Sequence, residues 1–181
     1  VSLIKDEKAK SELELNINEM TAMLNSYVNF VKTESFENTE ILNVNKVLKN
    51  ILKSINNGKM KIKIREEGQI KISGRPIQIH RAFQNIIDNS KRYSSEMNVF
   101  INKNQDGCNI EIHDNGSGIP EDKYEEVFKP FFTLDPARNK LKGESGLGLT
   151  ITRDIIRSHG GDVKLGKSIL GGLKLSVFLP I

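Results

Sequence analysis

Apolar residues at Leu13, Ile17, Met20, Leu24, Tyr27 and Val31 recur at alternating spacings of four and three, the a/d pattern of a helix that packs lengthwise against partner helices. Upstream the same frame falls on Asp6 and Lys10, so the seam weakens there. Two readings stay open: an ordinary amphipathic helix lying on its own domain, or a stalk joined to a separate body through the polar stretch 32–40. The body begins near Leu42. Asn43, Val44 and Asn45 introduce Val47, Leu48, Ile51, Leu52 and Ile55, a second helix ended by Asn57-Gly58.

The period then changes from helical to alternating. Met60, Ile62 and Ile64 interleave with Lys61, Lys63 and Arg65, and the alternation resumes at Ile70 and Ile72 beyond Glu66-Glu67-Gly68. That pattern predicts a hairpin with one buried face. Pro76 suits a helix start, and residues 77–93 place Ile79, Ala82, Phe83, Ile86, Ile87 and Tyr93 on one side. Residues 99–102 and 108–113 predict a hairpin around Asn104-Gln105-Asp106-Gly107, residues 121–127 a short helix, and residues 163–166 and 173–179 a last hairpin around Gly171-Gly172. Phe128, Phe131 and Phe132 are most simply core. Periodicity alone thus predicts an α+β fold with hairpins and three longer helices.

Composition changes this picture little. The 181 residues, 37% of them hydrophobic, suffice for one good core and an appended element. The single cysteine, Cys108, excludes an internal disulfide framework and fits a reducing compartment. No apolar run approaches the length of a membrane helix, so this piece reads as soluble, while Val1 in place of Met points to a fragment whose parent can carry membrane spans upstream. The net charge of +4 comes from lysines spread along the chain, which argues against a dedicated nucleic-acid surface but suits a small anionic ligand.

Candidate chemistry is concentrated in three stretches. Residues 143–152, Gly-Glu-Ser-Gly-Leu-Gly-Leu-Thr-Ile-Thr, are a glycine loop turning into a helix whose apolar stripe is Leu147, Ile151 and Ile155. Backbone N–H groups at such a helix start suit phosphate, although glycine loops before helices are also common connectors. On the polar side of 77–93, Asn85, Asn89 and Arg92 lie within roughly 60° of one another at helical period. Asparagine is a poor interior helix former, an amide oxygen is a hard neutral ligand for Mg²⁺, and a guanidinium suits phosphate; the bland alternative is a solvated helix face. Finally, Asp114 ends a strand before Asn115-Gly116-Ser117-Gly118. A carboxylate there can accept from an exocyclic amine while bare backbone admits a flat base, yet Asp-Asn-Gly is also simply a turn. The aperiodic stretch 133–143 stands where a mobile lid would sit.

In this order the pieces resemble the ATP-binding catalytic domain of bacterial sensor histidine kinases of the osmosensor-like group. The N box matches Asn85 to Tyr93, the G1 box Asp114 to Pro120, the F box Phe128-Lys129-Pro130-Phe131-Phe132, and the G2 box Gly143 to Leu149. The resemblance implies an α/β (α+β) sandwich of the GHKL or Bergerat type: a mixed, mostly antiparallel sheet with helices on one face, plus an N-terminal long helix. It divides the chain into a partial dimerization domain, second helix only, at residues 1–36 and a catalytic domain at residues 41–181. It also implies an ATP site in which Asn89 holds Mg²⁺ with Asn85 assisting, Arg92 and Tyr93 line the nucleotide, and Asp114 accepts from the adenine amine. Gly116, Gly118 and Ile119 would bound the base, while Gly146, Leu147 and Gly148 place amides on the phosphates and Leu149 and Phe131 complete the site. Ser90 stands where alanine is usual, Glu144 where glycine is common, and Thr133 where many members have arginine.

The implied activity is transfer of the ATP γ-phosphoryl group to a histidine, then to an aspartate of a response regulator receiver domain. Implied too are a homodimer through dimerization helices, a cytoplasmic placement and a parent anchored in the inner membrane. None of His80, His113 and His159 has the context of the family's phosphoacceptor, so each is expected to be structural. A nucleotide-gated ATPase clamp and a non-catalytic ATP-binding module are the alternatives.

Overall fold

The computed structural model describes residues 9–11, 13, 14, 17, 21, 37–55, 58, 60–134 and 146–181. In chain order these form β1 (Glu40–Asn43), α1 (Val44–Ile55), β2 (Lys61–Glu66), β3 (Lys71–Gly74), α2 (Pro76–Tyr93), β4 (Glu96–Lys103) and β5 (Gly107–Asp114). Two 3₁₀ turns, Glu121–Lys123 and Glu126–Phe128, then precede α3 (Gly148–Ser158), β6 (Asp162–Lys167) and β7 (Leu173–Pro180).

Five strands make the main sheet in the order β2-β4-β5-β7-β6, with β2 parallel to β4 and every other neighbouring pair antiparallel. Alternation decides its two faces. Met97, Val99 and Ile101 of β4, Ile110 and Ile112 of β5, and Leu175, Val177 and Leu179 of β7 are all buried. They form one core with Leu48, Ile51 and Leu52 of α1, Ile79, Phe83, Ile86 and Ile87 of α2, and Ile155 and Ile156 of α3. The intervening positions, among them Asn102, Glu111, Lys174 and Ser176, are largely polar, so the helices lie on one face only. Phe83 is the bulkiest fully buried side chain of this core, and truncating such a residue to alanine costs about 3–5 kcal/mol.

Three expectations need correction. The stretches at 60–64 and 70–72 are both strands, but they do not pair with each other: β2 lies beside β4, whereas β3 pairs with β1 in a separate two-stranded ribbon. The start of α1 holds them apart. Asn45 donates through Nδ2 to Glu66 and to the Gly68 carbonyl, its Oδ1 accepts from Ile70 N at 2.9 Å, and Val44 N donates to the Ile70 carbonyl. Backbone groups that a hairpin would have paired across the turn are taken by a helix instead. The helix expected at 121–127 is the two short 3₁₀ turns. Phe128 is core and Phe132 packs partly against it, but Phe131 is 53% exposed, because its backbone adopts φ 64° and turns the ring away. Of the N-terminal seam, Leu13 and Ile17 are helical and exposed, and Met20, Leu24, Tyr27 and Val31 lie outside the described residues. So do Glu144 and residues 135–143 of the expected lid.

Candidate nucleotide site

Helix α2 is fixed at its start. Pro76 occupies its first turn, and the Glu37 carboxylate accepts from the backbone N–H groups of Ile77 and Gln78, supplying the partner that Arg75, at the cap position, does not. Arg75 is turned elsewhere: its backbone N–H donates to His159 Nε2 at 3.0 Å and its guanidinium to the Ser158 hydroxyl at 2.6 Å. His159 Nδ1–H in turn donates to the Ile155 carbonyl at 2.7 Å. Both imidazole nitrogens are therefore engaged in joining the start of α2 to the end of α3. Burial is the main cause pushing the His159 pKa below its ordinary value.

Farther along α2 the two asparagines behave differently. Asn85 donates through Nδ2 to the Gly148 carbonyl at 3.2 Å, in the first turn of α3, and Thr152 donates to the same carbonyl at 2.8 Å. The side chain of Asn89, one turn on and half-buried, makes no hydrogen bond among the described residues. Its amide oxygen is thus a neutral donor atom available to a cation, as Mg²⁺ coordination requires. Arg92 is exposed at the end of the helix and Tyr93 half-buried.

Asp114 is the most constrained polar group of the site, at 4% exposure. Its Oδ1 accepts from Gly116 N at 2.9 Å and from Leu173 N at 3.0 Å, its carbonyl accepts from Gly172 N, and its Oδ2 accepts from the Ser90 hydroxyl at 3.2 Å. The carboxylate is therefore gripped by its own turn, by the β6–β7 loop and by α2. A Cβ on Gly172 would overlap both Asp114 Oδ1 and Gly116 N, so only glycine lets that loop approach. Gly118 faces the same loop, where a Cβ would meet the Gly172 carbonyl at 3.6 Å. Ile119 packs partly against the core.

The glycine loop before α3 meets the exposed phenylalanine. Gly146 has φ 63°, and a Cβ there would stand 2.8 Å from the Phe131 carbonyl carbon, while Phe131 N donates to the Gly146 carbonyl at 3.1 Å. Leu147 is buried and, among the described residues, no side chain caps the helix that follows, so the first turn of α3, Gly148 and Leu149 included, has backbone N–H groups without intrahelical partners. Arg153 of α3 stacks over Phe128 at 4.1 Å and pairs with Glu125, tying the 3₁₀ turns to this helix.

The structure therefore brings Asn85 to Gly148, Asp114 to Gly116, and Phe131 to Gly146. Gly172 and Leu173 escaped the sequence reading. The Gly171-Gly172 pair was visible, but as a hairpin turn, and nothing local indicates that its amides reach the end of β5.

A sheet with helices on one face and two glycine turns beside an asparagine-bearing helix defines a nucleotide-binding ATPase fold. The chain belongs to the histidine kinase-, DNA gyrase B- and HSP90-like ATPase family, which matches residues 74–181. It is 29% identical over 183 residues to the sensor histidine kinase GtrS of Pseudomonas aeruginosa, covering 99% of this chain and 37% of that protein. It is 38% identical over 109 residues to the sensor histidine kinase CpxA of Escherichia coli, covering 60% of this chain and 24% of the relative. The chain thus spans well under half the length of these relatives. Among solved structures, the mycobacterial sensor histidine kinase MprB superposes with a TM-score of 0.70 at 23% identity, over 79% of this chain and 97% of that one. The ATP-binding domain of PrrB from Mycobacterium tuberculosis gives 0.67 at 24%, over 80% and 98%. The chain carries an ATP-binding catalytic domain of the sensor histidine kinase type.

Proposed function

We propose that this domain binds Mg²⁺-ATP and transfers the γ-phosphoryl group to a histidine on a dimerization helix, for relay to an aspartate of a response regulator receiver domain. The observation that carries the reading is the Asp114 cradle: a buried carboxylate with Oδ1 doubly occupied and acceptor capacity left on Oδ2. An adenine amine donates to that oxygen, and a guanine carbonyl meets it as an unpaired charge. Gly116, Gly118 and Ile119 bound the base. Tyr93, Arg92 and Phe131 line the nucleotide, and the first turn of α3, from Gly146 through Leu149, receives the phosphates.

Asn89 holds the metal with Asn85 assisting, and when bound Mg²⁺ neutralises charge on the phosphate oxygens. The chain's own part is positioning: Asn85, tied to Gly148, keeps the metal-binding face of α2 in register with the phosphate-binding turn of α3. In the whole protein two copies pair through their dimerization helices, and the catalytic domain faces the cytoplasm from a membrane-anchored parent.

His113 and His159 are committed to structure. His113 is 4% exposed, accepts from Ile169 N at Nδ1 and lies 3.5 Å from Glu111 at Nε2. We take the attacking imidazole to come from a dimerization helix. Incubation with radiolabelled ATP is expected to give no acid-labile label on this chain by itself, and label in trans on a helix pair bearing the acceptor histidine. Nucleotide binding without any transfer to such a pair would favour the non-catalytic module. Acid-labile label on this chain would implicate His80, which is exposed on α2.

A further inference from the structure

We infer that Ser90 is a specificity-determining residue for the base, acting through Asp114; this rests on the reading of Asp114 as the base acceptor. Ser90 is 1% exposed and belongs to the last turn of α2. Its position is pinned there, because its carbonyl accepts from both the backbone N–H and the hydroxyl of Ser94, at 3.0 and 2.6 Å. From that fixed place its hydroxyl donates to Asp114 Oδ2.

An ionised carboxylate offers about four lone-pair sites. Gly116 N and Leu173 N fill the two on Oδ1, and Ser90 fills one on Oδ2. One site remains, on the oxygen proposed to read the purine 6-position. Two consequences follow. The plane of the carboxylate is held at both oxygens, so the remaining lone pair has one direction and suits a single exocyclic N–H. The only proton of the Ser90 hydroxyl is already committed to a charged acceptor, so no donor is left to welcome a 6-oxo group. Ser90 thereby converts a carboxylate that could rotate to accommodate several partners into one that accepts a 6-amino purine and rejects a 6-oxo one.

The test compares ATP, GTP and purine riboside triphosphate, which has no substituent at the 6-position, on the full chain and on Ser90→Ala and Ser90→Cys, with a melting curve for each. The unaltered chain is expected to bind ATP more tightly than purine riboside triphosphate. Ser90→Ala should weaken ATP binding by about tenfold or more, the usual value of a hydrogen bond to a charged group, while leaving purine riboside triphosphate unchanged and narrowing the ATP-to-GTP ratio. Ser90→Cys, with a weaker donor of similar size, should fall between the two. A mere packing role would lower both nucleotides together. Equal loss for both, or no loss for ATP, overturns the role of Ser90 while leaving Asp114 in place. Equal affinity of the unaltered chain for ATP and purine riboside triphosphate removes Asp114 as the base reader, and the Ser90 inference falls with it.

Discussion

Gly172 lies in a loop that carries none of the proposed phosphate or metal ligands, yet its substitution should be among the most damaging in the molecule. Any side chain there must displace the Asp114 carboxylate or the turn after β5, and overpacking of this kind costs about 1–3 kcal/mol. Gly172→Ala is expected to lower the melting temperature and to weaken ATP binding, whereas Gly171→Ala, with nothing within 4 Å of its Cβ position, should lose only what its left-handed backbone costs and keep its nucleotide affinity. Equal loss of ATP affinity in the two variants, measured by calorimetry, would show that the approach of the loop to Asp114 is immaterial. A second contrast tests the metal. Asn89→Ala should weaken Mg²⁺-dependent ATP binding by at least about tenfold, while Lys91→Ala, two positions on and exposed, should leave it nearly unaltered.

Between elements, the junction of α2 and α3 carries a pH dependence whose sign can be worked out. His159 has its folded pKa pushed below the ordinary 6.5, chiefly by burial, and Arg75 nearby pushes the same way while the Ile155 carbonyl and Glu37 oppose it. The unfolded chain therefore binds the proton more readily. The stability contributed by the neutral imidazole is complete above about pH 6.5 and is lost as pH falls below that value toward the folded pKa. Thermal melts between about pH 7.5 and 5.5 should show this fall, and His159→Gln should flatten it. Glu66 and Glu126, whose pKa values are lowered mainly by hydrogen bonds from Lys49 and Lys123, titrate below 4.5 and leave that window clear.

Elements are also the scale at which sequence and structure part. Helix α2 was readable because its buried stripe repeats at helical period, and the β4–β5 hairpin because the intervening Asn104 closes its own loop by accepting from Asp106 N and Gly107 N. Alternation in 60–72 identified two strands but carried no information about partners. Pairing there is settled by Asn45, a residue from a different element, and by the parallel register of β2 on β4. The same limit applies to the site. Asp114, Gly116 and Gly146 announce themselves by local composition, whereas the grip of Leu173 and Ser90 on Asp114 spans 59 and 24 positions. Periodicity describes one segment at a time, and these contacts exist only once the sheet has formed.

For the molecule as a whole, the boundary between an N-terminal domain at 1–36 and a body at 41–181 is a proposal that Glu37 sharpens. By capping α2, this residue belongs energetically to the body although it precedes the first strand. A chain beginning at residue 37 should fold, bind ATP as the full chain does, and be more stable than one beginning at residue 41 by about 0.5–2 kcal/mol, the usual worth of a helix cap. Denaturant titration of the two would measure the difference, and coincident midpoints would leave Glu37 with no part in the body.

The placement of β2 at the outside of the five-stranded sheet bears on how the protein behaves in company. An outer strand offers unpaired backbone groups to any other strand that drifts alongside, and that is how soluble sheets begin to aggregate. Here the strand carries Lys61, Lys63 and Arg65 at alternate positions, all exposed, with Glu96 near enough to the two lysines to balance only part of that charge. A second copy docking edge to edge would bring matching rows of positive charge to about 5 Å, so it is repelled before hydrogen bonds can form. The three cations interleaved with the isoleucines of β2 thus oppose edge-to-edge pairing between neighbouring catalytic domains.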